Sequence, residues 1–426
     1  MKISAYWHLL RDNRNIRLLW LAQIVSELGD WFYSVAIFSF LLEATGSAQM
    51  VSFAFMMQVL PQCFLAPTAG VINDRLSRKR VMIFADWSRA AIVLAMIPAL
   101  YLARADGFIW PLFLLLFLET ACWSLFEPGQ RAVIPNIATG DQTPIANALS
   151  AATWSVNFAV GAGLGGLAAV WLGRNAVFAL NSLSFVASAL LISRMRFTEP
   201  HTEHLPGLKA RDLVDFSPIA DGARYIARDP KLLATIFVKG GAGIMGTNWV
   251  ILPVLGERIF PIRLHGLSAD QAGTLGMSTL LASRGLGAIF GAFLGGNIAG
   301  SSVRRIRWIV CAGFLMGAAG YLALGTAGSI FAAALTLVIA HAGGSATWTA
   351  STTLLQQQTE DRFRGRVFSA EFAFTMLVLA LASFVAGRLA DSGVAVRTLA
   401  MWTGAAMLVP AAAWVIASRG WRQAQH

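Results

Sequence analysis

The chain has 426 residues, 56% of them hydrophobic and 13% charged, with a mean hydropathy of +0.62. That balance excludes a soluble globular protein. The formal net charge is +11, but the basic residues lie in short loops between apolar runs. There they set membrane topology and meet lipid headgroups, which argues against a nucleic-acid partner.

The opening segment mixes Tyr6, Trp7, Arg11, Asp12, Arg14 and Arg17, with no isolated apolar stretch before a cleavage site. It predicts a short amphipathic helix on the inner membrane surface and no signal peptide. Twelve apolar spans follow, with cores near 16–42, 49–72, 81–103, 109–130, 145–172, 175–193, 231–255, 270–297, 306–326, 329–352, 366–388 and 395–417. About 20 apolar residues suffice to cross a hydrocarbon core roughly 30 Å thick. The predicted fold class is all-α integral membrane, with twelve transmembrane helices in two six-helix bundles.

Charge supports that count. Twenty-four Lys and Arg residues fall at the termini and in even-numbered gaps, against six in odd-numbered gaps and three inside spans. Basic residues stay on the cytoplasmic side, so both termini are expected in the cytoplasm of a multi-pass inner-membrane protein. The longest polar break, 194–230, separates an N-terminal bundle (1–193) from a C-terminal bundle (231–426) as a cytoplasmic linker. Within it, Phe216 to Arg228 reads as a surface helix, with Asp215 or Ser217 as N-cap and Pro218 in the first turn. His201 and His204 have a metal-compatible spacing but no fixed partners, so they read as a solvated loop. Cys63, Cys122 and Cys311 sit inside apolar runs and form no disulfide framework or metal pair. The stretch Arg131–Ala151 resembles Leu354–Ala370 at an offset near 220 residues, as expected of a duplicated six-span unit.

Charges inside the spans are the candidate functional groups, because one at the bilayer centre costs at least about 2.5–3.5 kcal/mol. They are Glu27 and Asp30 in span 1, Arg89 in span 3, Glu119 in span 4, Lys239 in span 7, Arg284 in span 8 and Glu371 near an end of span 11. Glu27 and Asp30 share a helix face at i, i+3. His341 in span 10 is titratable or simply packed. A carboxyl whose surroundings change with conformation couples proton uptake to movement; the competing reading is that Glu27 and Asp30 brace neighbouring helices, for instance against Arg89. Trp31, Trp123, Phe126, Trp249 and Trp348 either line a cavity or anchor in the interface. In span 8, Gly285, Gly287, Gly291, Gly295 and Gly296 suit close helix packing, not a nucleotide loop.

The loop between spans 2 and 3 reads Gly70-Val71-Ile72-Asn73-Asp74-Arg75-Leu76-Ser77-Arg78-Lys79-Arg80. It resembles the helix-2/3 loop of the major facilitator superfamily, G-x-x-x-D-R-x-x-R-R/K-R/K. The rest of the chain is similar to the branch holding enterobactin-type siderophore exporters and macrolide efflux proteins. The residues carrying this are Asn15-Ile16-Arg17-Leu18-Leu19-Trp20, Glu27-Leu28-Gly29-Asp30-Trp31, Phe126-Glu127-Pro128-Gly129-Gln130-Arg131, Ala146-Asn147-Ala148-Leu149-Ser150, Phe178 through Phe185, and Arg364-Gly365-Arg366. Two positions depart from the pattern. Span 5 has Gly161-Ala162-Gly163-Leu164-Gly165-Gly166 where drug/proton antiporters usually have G-P-x-x-G-G, and span 4 carries Glu119 in place of an arginine.

The resemblance implies that spans 1, 4, 7 and 10 line a central cavity; Asp30, Glu27, Glu119, Lys239, His341, Trp31 and Trp123 on those spans, with Arg284 of span 8, are the candidate coupling and substrate residues. It implies a cytoplasmic gate of Gly70, Asp74, Arg75, Arg78, Lys79 and Arg80, which Asp86 and Arg89 are placed to join. Gly161, Gly165 and Gly166 are expected at a helix contact. No nucleotide-binding motif is present, so a proton gradient is the expected energy source, with no cofactor and no metal. The expected function is export of a small amphipathic substrate by a monomer in contact with membrane lipids, with no enzyme activity. A lysophospholipid transporter of the same fold, with Lys239 and Arg284 on the phosphate, and a non-transporting membrane receptor are the alternatives.

Overall fold

The computed structural model describes residues 3–138, 140–199, 217–299, 302–360 and 363–419. His201, His204 and Asp215 lie outside these residues. The described chain is helical throughout its named elements: α1 (Ile3–Asp12), α2 (Arg14–Thr45), α3 (Ala48–Arg75), α4 (Arg78–Asp106), α5 (Trp110–Ile137), α6 (Gln142–Trp171), α7 (Arg174–Ser193), α8 (Ser217–Arg228), α9 (Pro230–Ala242), α10 (Asn248–Arg258), α11 (Ala269–Ala299), α12 (Val303–Thr326), α13 (Ile330–Gln358), α14 (Arg364–Asp391) and α15 (Val396–Ser418). Ten of them, α2–α7 and α12–α15, are long and apolar enough to cross a membrane. Phe293 (71% exposed), Ile416 (69%) and Phe331 (78%) stand on helix exteriors, where lipid removes the cost water would impose.

Local chemistry sets the helix ends. The Asn13 side chain accepts from the Ile16 amide (3.1 Å) and donates to the Ile137 carbonyl (2.7 Å), so it caps α2 and ties it to α5. Ser77 caps α4, and Gly107, at φ 66°, ends it. Asp229 caps α9 with Pro230 in the first turn, and Ser329 caps α13.

The chain divides into two compact units. The first comprises Met1–Ile37 and Met57–Asp215, the second Phe38–Met56 and Phe216–His426. In the first, α4 packs on α5 and α7. There α6 meets α2 through glycines: a Cβ at Gly161 would lie 2.7 Å from Trp31 Cβ, and one at Gly165 would lie 2.8 Å from Phe32 Cα. Gly166 is buried in the same helix. Small residues thus allow backbone approach where no hydrophobic force drives helices together.

In the second unit α13 packs between α11 and α12, and α12 against α15. The predicted seventh span is not continuous. It is α9, a 3₁₀ turn over Gly243–Thr247, and α10. A Cβ at Gly246 would fall 2.3 Å from the Leu379 carbonyl oxygen of α14, so the break sits where two backbones touch. The predicted surface helix is present as α8, docked on the start of α14 by an Asp221–Arg366 ion pair (3.4 Å) and a Tyr225–Phe363 stack.

The start of α3 belongs to this second unit. Asp391, the last residue of α14, accepts from the Ala48 amide (2.8 Å), the Gln49 amide (3.1 Å) and the Ser47 hydroxyl. It supplies the N-terminal cap of α3 from a distant part of the chain. Nearby, Phe55 stacks on Trp249 with centroids 4.8 Å apart, and Ser39 bonds Thr274 at 2.6 Å.

Candidate functional site

Three helices of the first unit bring their intramembrane charges to one point. Arg89 of α4, 2% exposed, donates Nε to Glu119 Oε1 of α5 (2.7 Å) and a terminal nitrogen to Asp30 Oδ2 of α2 (2.7 Å). Asp86, one turn earlier on α4 and fully buried, lies 3.7 Å from the same guanidinium. Tyr33 donates its hydroxyl to Glu119 Oε2 at 3.1 Å. Phe185 of α7 lays its ring 3.9 Å from the guanidinium carbon, closing the remaining side with a cation–π contact. Three carboxyls therefore share one guanidinium. If all three ionise, the cluster carries two negative charges in excess.

Glu27 stands one turn before this cluster, held by neutral donors: Gln23 Nε2 at 2.8 Å and Asn157 Nδ2 of α6 at 2.9 Å. Gln23 and Ser150 exchange hydrogen bonds, and Trp20 donates to Thr153. A narrow cleft, with room for little more than a water molecule, is lined by Trp20, Gln23, Gln130 and Ser150. Trp31 packs on Phe158, ring centroids 4.2 Å apart, and edge-on to Trp154. Trp123 is half-buried on α5, one turn beyond Glu119.

The second unit holds its ionic groups differently. Lys239 of α9 pairs with Glu371 of α14 at 3.1 Å, both side chains 3% exposed. Its ammonium also donates to Thr352 (2.9 Å) and rests 4.3 Å from the Trp348 ring centroid, while Thr375 donates to Glu371. Arg284 lies over the Trp249 ring at 4.4 Å. His341 Nε2 and the Tyr321 hydroxyl are 3.1 Å apart. Among the described residues no group of three or more His, Cys, Asp or Glu could hold a metal.

In the loop between α3 and α4, Arg78 faces Asp74 at 3.7 Å and donates to the Ala132 carbonyl (3.0 Å), and Lys79 donates to the Met195 carbonyl (2.7 Å). Asp74 is largely exposed, Arg80 is exposed, and Gly70 and Arg75 are half-buried. Asp86 and Arg89, expected beside this loop, are instead the centre of the buried cluster. Arg89 lies about three helical turns into α4, too deep to reach Asp74, and it faces α2 and α5. The bracing of Asp30 against Arg89 is the arrangement observed. The sequence does not mark Tyr33, Gln23, Asn157 and Phe185 as partners. Their signal was available only as polar or aromatic residues inside apolar spans. Glu371 was visible as a span charge but not as the partner of Lys239.

Membrane-length helices with paired charges buried inside them define a multi-pass membrane protein. Residues 19–382 match the model of the Major Facilitator Superfamily, and the chain belongs to that superfamily, which consists of transporters and is not an enzyme family. It is similar to macrolide efflux protein A of Streptococcus pyogenes, 25% identical over 380 residues and covering 88% of each chain. It is also similar to YkuC of Bacillus subtilis (strain 168), an uncharacterized MFS-type transporter, 26% identical over 263 residues. That match covers 61% of this chain and 59% of YkuC, and a match to YfiS of the same strain covers 52% of that relative. Among solved structures, the bacterial homologue of the human lysosomal transporter Spinster, inward-facing and occupied, shares the fold with a TM-score of 0.69. The two are 16% identical over 96% of this chain and 98% of that one. The all-α architecture is thus the major facilitator fold.

Proposed function

We propose that this protein is a secondary active transporter that exports amphipathic small molecules, drug- or siderophore-like, across the inner membrane by alternating access and proton antiport. The observation carrying this reading is the sharing of one guanidinium by Asp30, Asp86 and Glu119. In a region of low dielectric an excess carboxylate is expensive. Each proton entering the cluster removes one of the two excess charges, and its departure restores it, so protonation and the packing of α2, α4 and α5 are linked. The similarity to a macrolide efflux protein supports outward transport of an amphipathic substrate. The distribution of basic residues supports cytoplasmic termini. Asp74 and Arg78 serve as the cytoplasmic gate, Glu27 meets substrate or proton, and the unit at work is a monomer embedded in lipid.

The test is proton flux in inverted membrane vesicles holding a preformed pH gradient. Lipophilic cations, macrolides, catecholate siderophores and lysolipids are added in turn to wild type, Asp30→Asn and Glu119→Gln. Collapse of the gradient by one class, lost in either variant, is the expected result. Collapse that is identical in both variants sinks the assignment of the coupling cluster. Labelled-lysolipid flux without proton movement would favour the lipid transporter, a reading weakened by the engagement of Lys239 with Glu371. Ligand binding without any flux would favour a receptor.

A further inference from the structure

The joint between α1 and α2 is built with care for so short a helix. Arg17 donates to the Leu10 and Arg11 carbonyls (3.0 and 3.1 Å), satisfying the end of α1. Leu9 is buried with Ile16, Leu19, Met82 and Met195, while Trp7 on the same helix is 67% exposed. The residues after α7 are fastened to this joint. Asn15 Nδ2 donates to the Arg196 carbonyl (2.7 Å), and the Arg196 amide donates back to Asn15 Oδ1 (3.0 Å). Lys79 holds the neighbouring Met195 carbonyl.

The consequence is that four arginines lie on neighbouring stretches of backbone. Arg11 and Arg14 flank the joint, Arg194 and Arg196 are brought beside it, and all four are exposed. Arg78, Arg131, Arg224 and Arg366 all have carboxylate partners, whereas these four make no ion pair or side-chain hydrogen bond among the described residues. Asp12 is the one acid within residues 3–17, and Glu199, three residues after Arg196, accepts from the Ser77 hydroxyl and the Lys79 amide instead. Four fixed positive charges thus lack a counter-ion from the described protein.

We propose that this joint binds the headgroup of an anionic phospholipid. Guanidinium forks match phosphate oxygens geometrically. An exposed tryptophan on an amphipathic helix with its apolar face anchored is suited to the boundary between headgroups and acyl chains. The phosphate sits among Arg11, Arg14, Arg194 and Arg196, and Trp7 rests in the adjacent interface. The site needs neither proton coupling nor a direction of transport.

The test uses the purified full-length chain and native mass spectrometry, with dioleoyl phosphatidylglycerol, dioleoyl phosphatidylcholine and inorganic phosphate as separate probes. The wild type is expected to retain phosphatidylglycerol at least tenfold better than phosphatidylcholine, and inorganic phosphate is not expected to displace it. R11Q/R14Q/R194Q/R196Q is expected to lose that preference, while R263Q/R388Q, two exposed arginines elsewhere, keeps it. If the quadruple variant does not elute as a single species, R11Q/R14Q and R194Q/R196Q are measured separately and each is expected to lose part of the preference. Equal retention of the two lipids, or an unchanged preference in the arginine variants, overturns the proposal. Displacement by inorganic phosphate overturns it in favour of a free-anion site.

Discussion

The buried charges of the two units solve the same problem in opposite ways. In the first unit Arg89 faces three carboxyls, so negative charge is in surplus. In the second, Lys239 faces Glu371 alone and the pair is neutral, finished by Thr352, Thr375 and Trp348. A surplus can absorb a proton and remain held together by the arginine. A neutral pair cannot change its charge without abandoning a buried partner. The first arrangement suits a group that cycles; the second suits a fixed brace near the broken seventh span.

That contrast can be tested by removing the cation from each. Arg89→Gln leaves three buried carboxyls uncompensated and is expected to have the largest effect, about 3–5 kcal/mol of lost stability or more. A melting temperature within a degree or two of wild type, read by fluorescence-detected gel filtration, would contradict it. Lys239→Met strands one carboxyl and is expected to cost about 3–5 kcal/mol, yet Lys239→Met with Glu371→Met should recover most of that. No recovery in the double variant would show that the pair does more than brace. Packing comes next: Gly161→Ala forces a Cβ onto Trp31 and should cost about 1–3 kcal/mol. A neutral outcome would mean that α6 shifts freely along α2. The smallest effect is expected for Asp391→Ala, at about 0.5–2 kcal/mol for loss of the α3 cap. A stability unchanged from wild type would mean that water or another group replaces the carboxylate.

The sequence disclosed the membrane helices, the linker helix and the identity of nearly every buried charge, because each breaks an apolar run. Of the partners it offered only Arg89 for Asp30, as one of two readings. Asp86 and Arg89 read as neighbours of Asp74 since they follow it closely along the chain. Once α4 begins at Arg78, however, the helical rise carries Arg89 deep among the spans, and only packing decides that it meets Asp30 and Glu119. The seventh span read as continuous since its glycines keep an apolar profile while removing the side chains that would hold α14 away. The hydrogen bonds of Glu27 with Gln23 and Asn157 were hidden for the same reason: amides inside an apolar run do not announce which helix they face.

The Asp391 cap also has a consequence in time. The first turn of α3 is completed by a carboxylate 343 residues further on. At synthesis rates of about 5–20 residues per second, the ribosome reaches that residue roughly 20–70 s after Ala48. Through that interval the amides of Ala48 and Gln49 lack their native acceptor, and the first hairpin enters the bilayer unfinished. Its final seat is therefore a late event in biogenesis, and a chain truncated before α14 should expose residues 46–49 to protease where the full chain protects them.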